Sequence, residues 1–268
     1  MSRLSKPFRT ALQFVGVDWS HVKRSLRAWP TFISNYRAFK RQYRASNRDF
    51  PLTNLSPYLL DRSAPGGTAR GAYFHQDLHV ARKVLAAQPR RHLDVGSRVD
   101  GFVAHLSLFM PVEVLDVRAI DSAVPNMTFI QADLMLPQPA LEACADSVSC
   151  LHALEHFGLG RYGDPIDYDG HRKGLVAITR LLAPRGTLYL STPIGKKQRT
   201  EFDGQRVFNV PTLIQMAAPD FDLVSISYVD DAGNLHPDLP PDHPDIPASF
   251  NCKYGCGILE LRKKPPAA

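Results

Sequence analysis

The sequence predicts a doubly wound α/β fold with a mostly parallel sheet, preceded by a basic helical extension. Three observations carry that expectation. From residue 92 onward, short apolar runs alternate with segments of helical periodicity. The run Arg91-His-Leu-Asp-Val-Gly-Ser-Arg-Val-Asp-Gly-Phe102 ends in an acid and a glycine before it enters a helical pattern. A second run, Val112-Glu-Val-Leu-Asp-Val-Arg118, closes on Asp116 about 20 residues beyond the glycine. This spacing holds a nucleotide-type ligand at the carboxyl edge of a parallel sheet. The turn brings bare backbone close to the ligand, and the second acid accepts from ribose hydroxyls.

The elements follow in order. Residues 18–46 have helical spacing, and Pro30 is expected to break or kink that helix. Residues 47–71, with Pro51, Pro57, Pro65 and Gly66-Gly67, read as a long loop. A helix is expected over 76–88, ending before Pro89. A strand over 92–95 leads to a helix over 101–109, and strands follow at 112–117, 127–131 and 147–151. A helix over 172–182 ends at Ala183-Pro184-Arg185-Gly186 before a strand at 187–191. A helix over 211–218 and late strands at 221–228 and 255–262 complete the chain.

The 268 residues suffice for one α/β domain with a full core plus an appendage. A hydrophobic content of 44% and a charged content of 22% suit a soluble globular chain. No apolar run approaches the roughly 18–20 residues that span a bilayer. The basic start lacks an apolar signal region. Cys144, Cys150, Cys252 and Cys256 form no paired metal-knuckle pattern, and the chain reads as a reduced, cytoplasmic protein.

Charge divides the chain. Residues 1–48 carry eleven basic side chains against Asp18 alone, while the rest carries 21 basic against 25 acidic. A basic arm on a mildly acidic body points to an anionic contact: a membrane surface, a nucleic acid or sugar phosphates. Trp19, Trp29, Phe32, Tyr36, Phe39 and Tyr43 interleave with those charges at roughly helical spacing. That pattern fits an interfacial amphipathic helix at an anionic membrane, and equally a solvated appendage packing its aromatics on the body. A transit peptide shares the arginine-rich composition. The domain expectation is an extension over 1–48 and a single α/β domain over 49–268.

The ordered motifs of residues 90–192 resemble class I S-adenosylmethionine-dependent methyltransferases. Leu93-Asp-Val-Gly-Ser97 matches the glycine loop, and Val114-Leu-Asp116 the ribose-binding acid. Phe129-Ile-Gln-Ala-Asp133-Leu134 is similar to the adenine-side motif. The stretches from Asp146 to His156 and from Leu182 to Thr192 resemble the motifs that follow. More narrowly, Ala72-Tyr-Phe-His-Gln-Asp77, the Ser97–Phe102 turn, Leu151–Asp164 and Phe202-Asp-Gly-Gln-Arg-Val-Phe208 resemble the DUF268 family. Some of its bacterial members belong to surface-polysaccharide clusters.

The resemblance implies a Rossmann-like, seven-stranded sheet and S-adenosylmethionine as cofactor. It implies that Asp94, Gly96, Ser97 and Gly101 form the turn beside the methionine part. Asp116 would accept from both ribose hydroxyls, and Asp133 with Leu134 would flank the adenine. Arg98 replaces the usual second glycine; it either crowds the ligand, pairs with the methionyl carboxylate or points to solvent.

His152-x-x-Glu155-His156 follows a strand whose carboxyl end opens into the ligand crevice. Three readings fit. His156, assisted by Glu155, takes a proton from an acceptor hydroxyl; the three side chains bind a divalent metal; or the imidazoles, His152 beside the cofactor, line the pocket. The same letters spell the inverted zinc-protease signature, but that requires a long helix and here a strand precedes it. Arg161-Tyr-Gly-Asp164-Pro-Ile-Asp167-Tyr-Asp169-Gly-His171 reads as a loop able to cover an acceptor, or as a plain surface excursion. Phe74-His75-Gln76-Asp77 either closes over the cofactor or caps the next helix.

The functional expectation is methyl transfer to a sugar hydroxyl of a bacterial surface glycan or glycolipid precursor, by an enzyme peripheral to the inner membrane. The alternatives are an RNA or small-molecule methyltransferase and a catalytically inactive partner of the same fold. The position of an amino-nitrogen methylation motif reads Leu151-His-Ala-Leu154, which disfavours amino-nitrogen methylation of bases but leaves carbon- and ribose-directed RNA enzymes open; a nucleic-acid partner is not expected. The absence of G-x-G-x-x-G disfavours a nicotinamide dehydrogenase.

Overall fold

The computed structural model describes residues 18–64, 67, 69–121 and 123–266. They fall in two compact units, Met1–Thr68 and Ala69–Ala268. The basic residues Arg3, Lys6 and Arg9 lie outside the described residues.

In the first unit, α1 (Trp19–Ala45) starts at Asp18, whose carboxylate accepts from the Ser20 and His21 N–H groups. The expected break at Pro30 does not occur: the helix runs through it for 27 residues. Proline removes one N–H and leaves the Leu26 carbonyl without its usual helical donor, but the turns on both sides keep theirs. No residue of α1 is buried. Beyond Ser46 the described backbone is irregular apart from one 3₁₀ turn, Asp61–Ser63.

The second unit starts with α2 (Ala72–Ala87), four residues earlier than its periodicity predicts. β1 (His92–Val95) leads through a π-helical turn, Val99–Val103, into α3 (Ala104–Ser107). β2 (Val112–Asp116), β3 (Met127–Gln131) and β4 (Ala145–Leu151) follow, then α4 (Gly170–Leu181) and β5 (Leu182–Ile194). The remaining elements are β6 (Arg199–Glu201), β7 (Gln205–Val207), α5 (Val210–Ala217), β8 (Phe221–Val229), β9 (Leu235–Leu239) and β10 (Gly255–Lys263). No helix among the described residues is long and apolar enough to cross a membrane.

The main sheet has eight strands in the order β3-β2-β1-β4-β5-β10-β8-β9, not seven. β3 to β5 are parallel, and β10, β8 and β9 are antiparallel additions. The extra strand is β9. Its sequence, Leu-His-Pro-Asp-Leu, contains a proline that only an edge strand tolerates. It is closed onto β8 by a turn in which Asp230 accepts from the Ala232 and Asn234 N–H groups, both at 2.9 Å. β6 and β7 form a separate hairpin.

Strand order reverses beside β1, which pairs with β2 on one side and β4 on the other. A crevice opens at such a switch point, above the carboxyl ends of the strands. Alternating side chains feed two cores, one on each face. Leu93, Leu115, Val148, Leu188 and Leu190 pack in one with Ile178 of α4 and Leu213 of α5. Val114, Leu151 and Tyr189 pack in the other with Val80 and Val84 of α2 and Phe102 and Leu106.

One polar ladder crosses the buried sheet. His92 is 1% exposed and bonds Ser147 Oγ at 2.8 Å and Ser149 Oγ at 3.1 Å. Burial lowers its pKa to about 3, so it is neutral in the folded chain. Its unfolded counterpart, near 6.5, takes up a proton earlier on acidification, and stability present above that pH is lost as pH falls toward about 3. Urea unfolding at pH 7 and pH 5 is therefore expected to show a lower midpoint at pH 5, by a margin that shrinks in His92→Gln.

Candidate active site

The site is assembled on the carboxyl ends of β1, β2 and β4. After β1 the chain turns at Gly96, with φ 64°, where an added Cβ would lie 3.0 Å from Ala153 Cβ. Asp94 fixes that turn from below. Its Oδ1 accepts from the Ser97 and Ser149 hydroxyls at 2.6 and 2.5 Å, and its Oδ2 accepts from the Ser97 N–H at 3.1 Å. Burial raises its pKa to about 6 against the opposing pull of those hydrogen bonds. Asp94 and Gly101, both expected beside the cofactor, do not line the cleft. Asp94 lies under the turn, and an added Cβ on Gly101 would sit 2.2 Å from Asp77 Oδ2 of α2.

Two connected chambers form the cleft. The inner one is lined by Gly96, Leu115, Asp116, Ala132, Asp133, Leu134, His152 and His156, among others. The outer one adds Tyr73, Ser97, Arg98, Arg161 and Gln205. Asp116 ends β2 at the junction. Arg118 holds it in a bidentate pair, with Nε to Oδ1 at 3.0 Å and an NH2 to Oδ2 at 2.7 Å. The Asp133 carboxylate accepts from the Met135 N–H at 2.8 Å, which leaves its second oxygen beside the chamber. Arg98 turns to Asp100 at 2.9 Å and stacks over the Tyr73 ring, 5.0 Å from its centroid.

His152 sits in the left-handed region with φ 52°, a conformation that costs an L-residue about 1–2 kcal/mol. It is anchored by its N–H to the Ser191 carbonyl at 3.1 Å. Its Nδ1 donates to Glu155 Oε1 at 2.8 Å. Burial opposes charge on this imidazole, but the Cys256 sulfur and the Glu155 carboxylate outweigh it and hold the pKa well above the ordinary value. Glu155 is 0% exposed and does not line the cleft. Its Oε2 and the His152 Nε2 are buried without a hydrogen-bond partner. Glu155, expected as a catalytic group, thus acts on its two neighbouring imidazoles from behind the wall.

His156 faces both chambers. Its Nδ1 lies 2.8 Å from the Gly204 carbonyl and 3.4 Å from the Arg161 guanidinium; the nearer carbonyl favours a hydrogen on Nδ1, and Nε2 lies 3.8 Å from Glu155 Oε1. Burial lowers its pKa, with Glu155 and Gly204 pulling the other way. Among the described residues no group of three or more His, Cys, Asp or Glu side chains is arranged to hold a metal ion. With His152 and Glu155 bonded to each other, the divalent-metal reading does not fit the side chains present.

The loop over residues 157–169 closes one side. Gly158, with φ 76°, and Gly160 donate to Asp164 Oδ2 at 2.8 and 3.3 Å. Tyr162 on this loop meets Arg118 at 4.4 Å and the His156 ring edge-on at 5.5 Å. Arg206 of β7, 7% exposed, pins the loop by donating to the carbonyls of Phe157 at 2.7 Å and Tyr168 at 3.1 Å. Tyr162 lies on the loop expected to cover an acceptor, whereas Arg118 and Arg206 are not among the expected site residues. Arg118 stands two residues beyond the ribose acid, which is the local signal for it. Nothing in the spacing brings Arg206 to residue 157.

Residues 128–235 match a family model described as a Caenorhabditis protein of unknown function, DUF268. A search of curated proteins finds no sequence match. Among solved structures, the [4+2]-cyclase SpnF aligns with a TM-score of 0.51 at 15% identity, covering 76% of this chain and 90% of its own. The N-methyltransferase NodS from Bradyrhizobium japonicum, in complex with S-adenosylhomocysteine, aligns at 0.48 and 14% identity over 81% of this chain and 95% of its own. The 1,6-didemethyltoxoflavin-N1-methyltransferase of Burkholderia thailandensis aligns at 0.47 and 17% identity over 70% and 78%. The fold is the Rossmann-like fold of class I methyltransferases.

Arg206→Met is expected to leave the loop carbonyls without donors, at a cost of about 1–3 kcal/mol in denaturant unfolding. Limited trypsin digestion followed by mass spectrometry should show faster cleavage after Arg161 in that variant, by more than the global loss of stability explains.

Proposed function

We propose that this chain is an S-adenosylmethionine-dependent methyltransferase acting on a hydroxyl group, the acceptor being a sugar of a bacterial surface glycan or its lipid-linked precursor. The observation that carries the reading is the meeting of three groups in one cleft: the Gly96 turn, the Asp116 carboxylate and the His156 imidazole. The DUF268-like motifs and the bacterial gene clusters of that family support the acceptor class.

The residues present fit the cofactor. Gly96, in the left-handed region at φ 64°, carries no side chain and lines both chambers, so a ligand would meet backbone there. Leu115, Ala132 and Leu134 offer apolar surface for an adenine, and Asp116 stands where a ribose diol would need a charged acceptor. Arg118 now occupies both Asp116 oxygens, so binding a diol requires that guanidinium to yield at least one of them. S-Adenosylmethionine would supply an electrophilic methyl group on a sulfonium centre. The chain holds the acceptor oxygen in line with that methyl, which is the main source of rate. Tyr162 and its loop exclude water, and His156 Nε2 accepts the hydroxyl proton as the new bond forms. Glu155 positions the two imidazoles from behind the wall.

A second reading rests on one observation: the structure with the TM-score of 0.51 is named a cyclase, so this fold does not by itself fix the reaction. Calorimetric titration with S-adenosylmethionine separates the readings, and no binding at millimolar concentrations would rule out ours. Asp116→Ala is expected to weaken that binding by about 1.5–3 kcal/mol, the range for hydrogen bonds to a charged group, whereas Arg118→Ala leaves it equal or tighter. Transfer of labelled methyl to glycans extracted from a deletion strain tests the acceptor. His156→Asn should keep cofactor binding and lower transfer roughly 10²–10⁴-fold. Because burial lowers the His156 pKa, the base stays neutral to a pH below the ordinary 6.5, and activity should fall only on acidification past that value.

A further inference from the structure

Helix α1 carries an unused surface. Its 27 residues span about 40 Å at 1.5 Å per residue. It contains no Asp or Glu, and Lys23, Arg24, Arg27, Arg37, Lys40, Arg41 and Arg44 give it seven cations. Trp19, Val22, Leu26, Trp29, Ile33, Tyr36 and Tyr43 recur at intervals of three, four or seven residues, so they share one face. Phe32 and Phe39 widen that face to roughly 160° at 100° per residue. Lys23, Arg24, Arg27 and Arg41 lie on the other side and Arg37 at the edge, with Lys40 and Arg44 within the stripe. Unbroken passage through Pro30 decides this: a break there would give two short helices whose apolar faces need not coincide. Leu26 is 58%, Trp29 39%, Ile33 41% and Phe39 55% exposed.

We infer that α1 docks on the surface of a membrane rich in anionic phospholipid. It lies in the plane of the interface, with the aromatic and aliphatic stripe at the boundary of headgroups and acyl chains. The lysines and arginines meet the phosphates beside it. Charge selects this occupant over a second copy of the chain. Two α1 helices packed stripe to stripe would set Arg37, Lys40 and Arg44 of one against those of the other, with no acid in either helix to offset them. A nucleic acid would use the cations but leave the apolar stripe in water. The inference does not depend on which reaction the second unit performs.

The test uses the full chain and its own probes. Trp19 and Trp29 are the two tryptophans of the sequence, and both lie on α1. Vesicles of phosphatidylcholine with added phosphatidylglycerol should shift their emission to the blue and carry the protein in flotation. Pure phosphatidylcholine vesicles should bind at least tenfold more weakly, and raising salt toward roughly 0.15 M should weaken the anionic binding. Leu26→Glu with Ile33→Glu should abolish the shift, and Arg37→Glu with Arg41→Glu should lower affinity at least tenfold. Circular dichroism confirms that the variants fold. The inference is overturned by an unshifted emission, by equal binding to uncharged vesicles, or by apolar-stripe variants that bind as before. It is equally overturned if those variants instead dissolve a concentration-dependent dimer, or if RNA shifts the emission while anionic vesicles do not.

Discussion

The cleft depends on one buried carboxylate. Asp94 lies at the switch point of the sheet with no exposed surface, where an unsatisfied charge would cost several kcal/mol. Two serine hydroxyls and a backbone N–H satisfy it. Those same bonds tie the Gly96 turn to β1 and tie β1 to β4. Ser97 extends the tie by accepting from the Leu151 N–H at 3.1 Å, just before the chain enters His152. The His92–Ser147–Ser149 ladder continues it across the sheet. The shape of the ligand-facing turn and the position of the catalytic wall are therefore set by one connected polar network within an apolar core.

A second constraint acts from above. Arg118 bridges Asp116 and the Tyr162 ring, so the ribose acid and the covering loop are held by the same guanidinium. Arg206 holds the base of that loop through carbonyls alone. Burial lowers its pKa from the ordinary arginine value, but no carboxylate is bonded to it. The loop is thereby anchored at its ends and meets the cleft where Tyr162 contacts Arg118 and His156.

Much of the fold was legible because local rules govern it. The apolar runs at β1, β2, β3 and β4 end within two residues of where their hydrophobicity changes, and the motif spacing places Gly96, Asp116, Asp133 and His156 on one edge. Three features escaped for physical reasons. Proline at position 30 argues locally for a break, but losing one hydrogen bond does not outweigh the remaining turns of a long helix. β9 carries a proline and polar residues that read as loop, and only pairing with β8 makes it a strand. The roles of Asp94 and Glu155 were assigned by position in the motif, whereas burial turns both away from the cleft.

The sequence by itself determined the class of fold, the order of its motifs and the charge contrast between extension and body. These follow from periodicity and composition, which depend on neighbours along the chain. Tertiary structure alone decided which carboxylate faces the ligand and which lies beneath it. It also decided that His156 meets the Gly204 carbonyl, and that Arg206 reaches a loop nearly fifty residues away in sequence. Both of these outcomes rest on directional bonds between residues far apart in the chain. Such bonds form only when the packed sheet brings their donors and acceptors within about 3 Å.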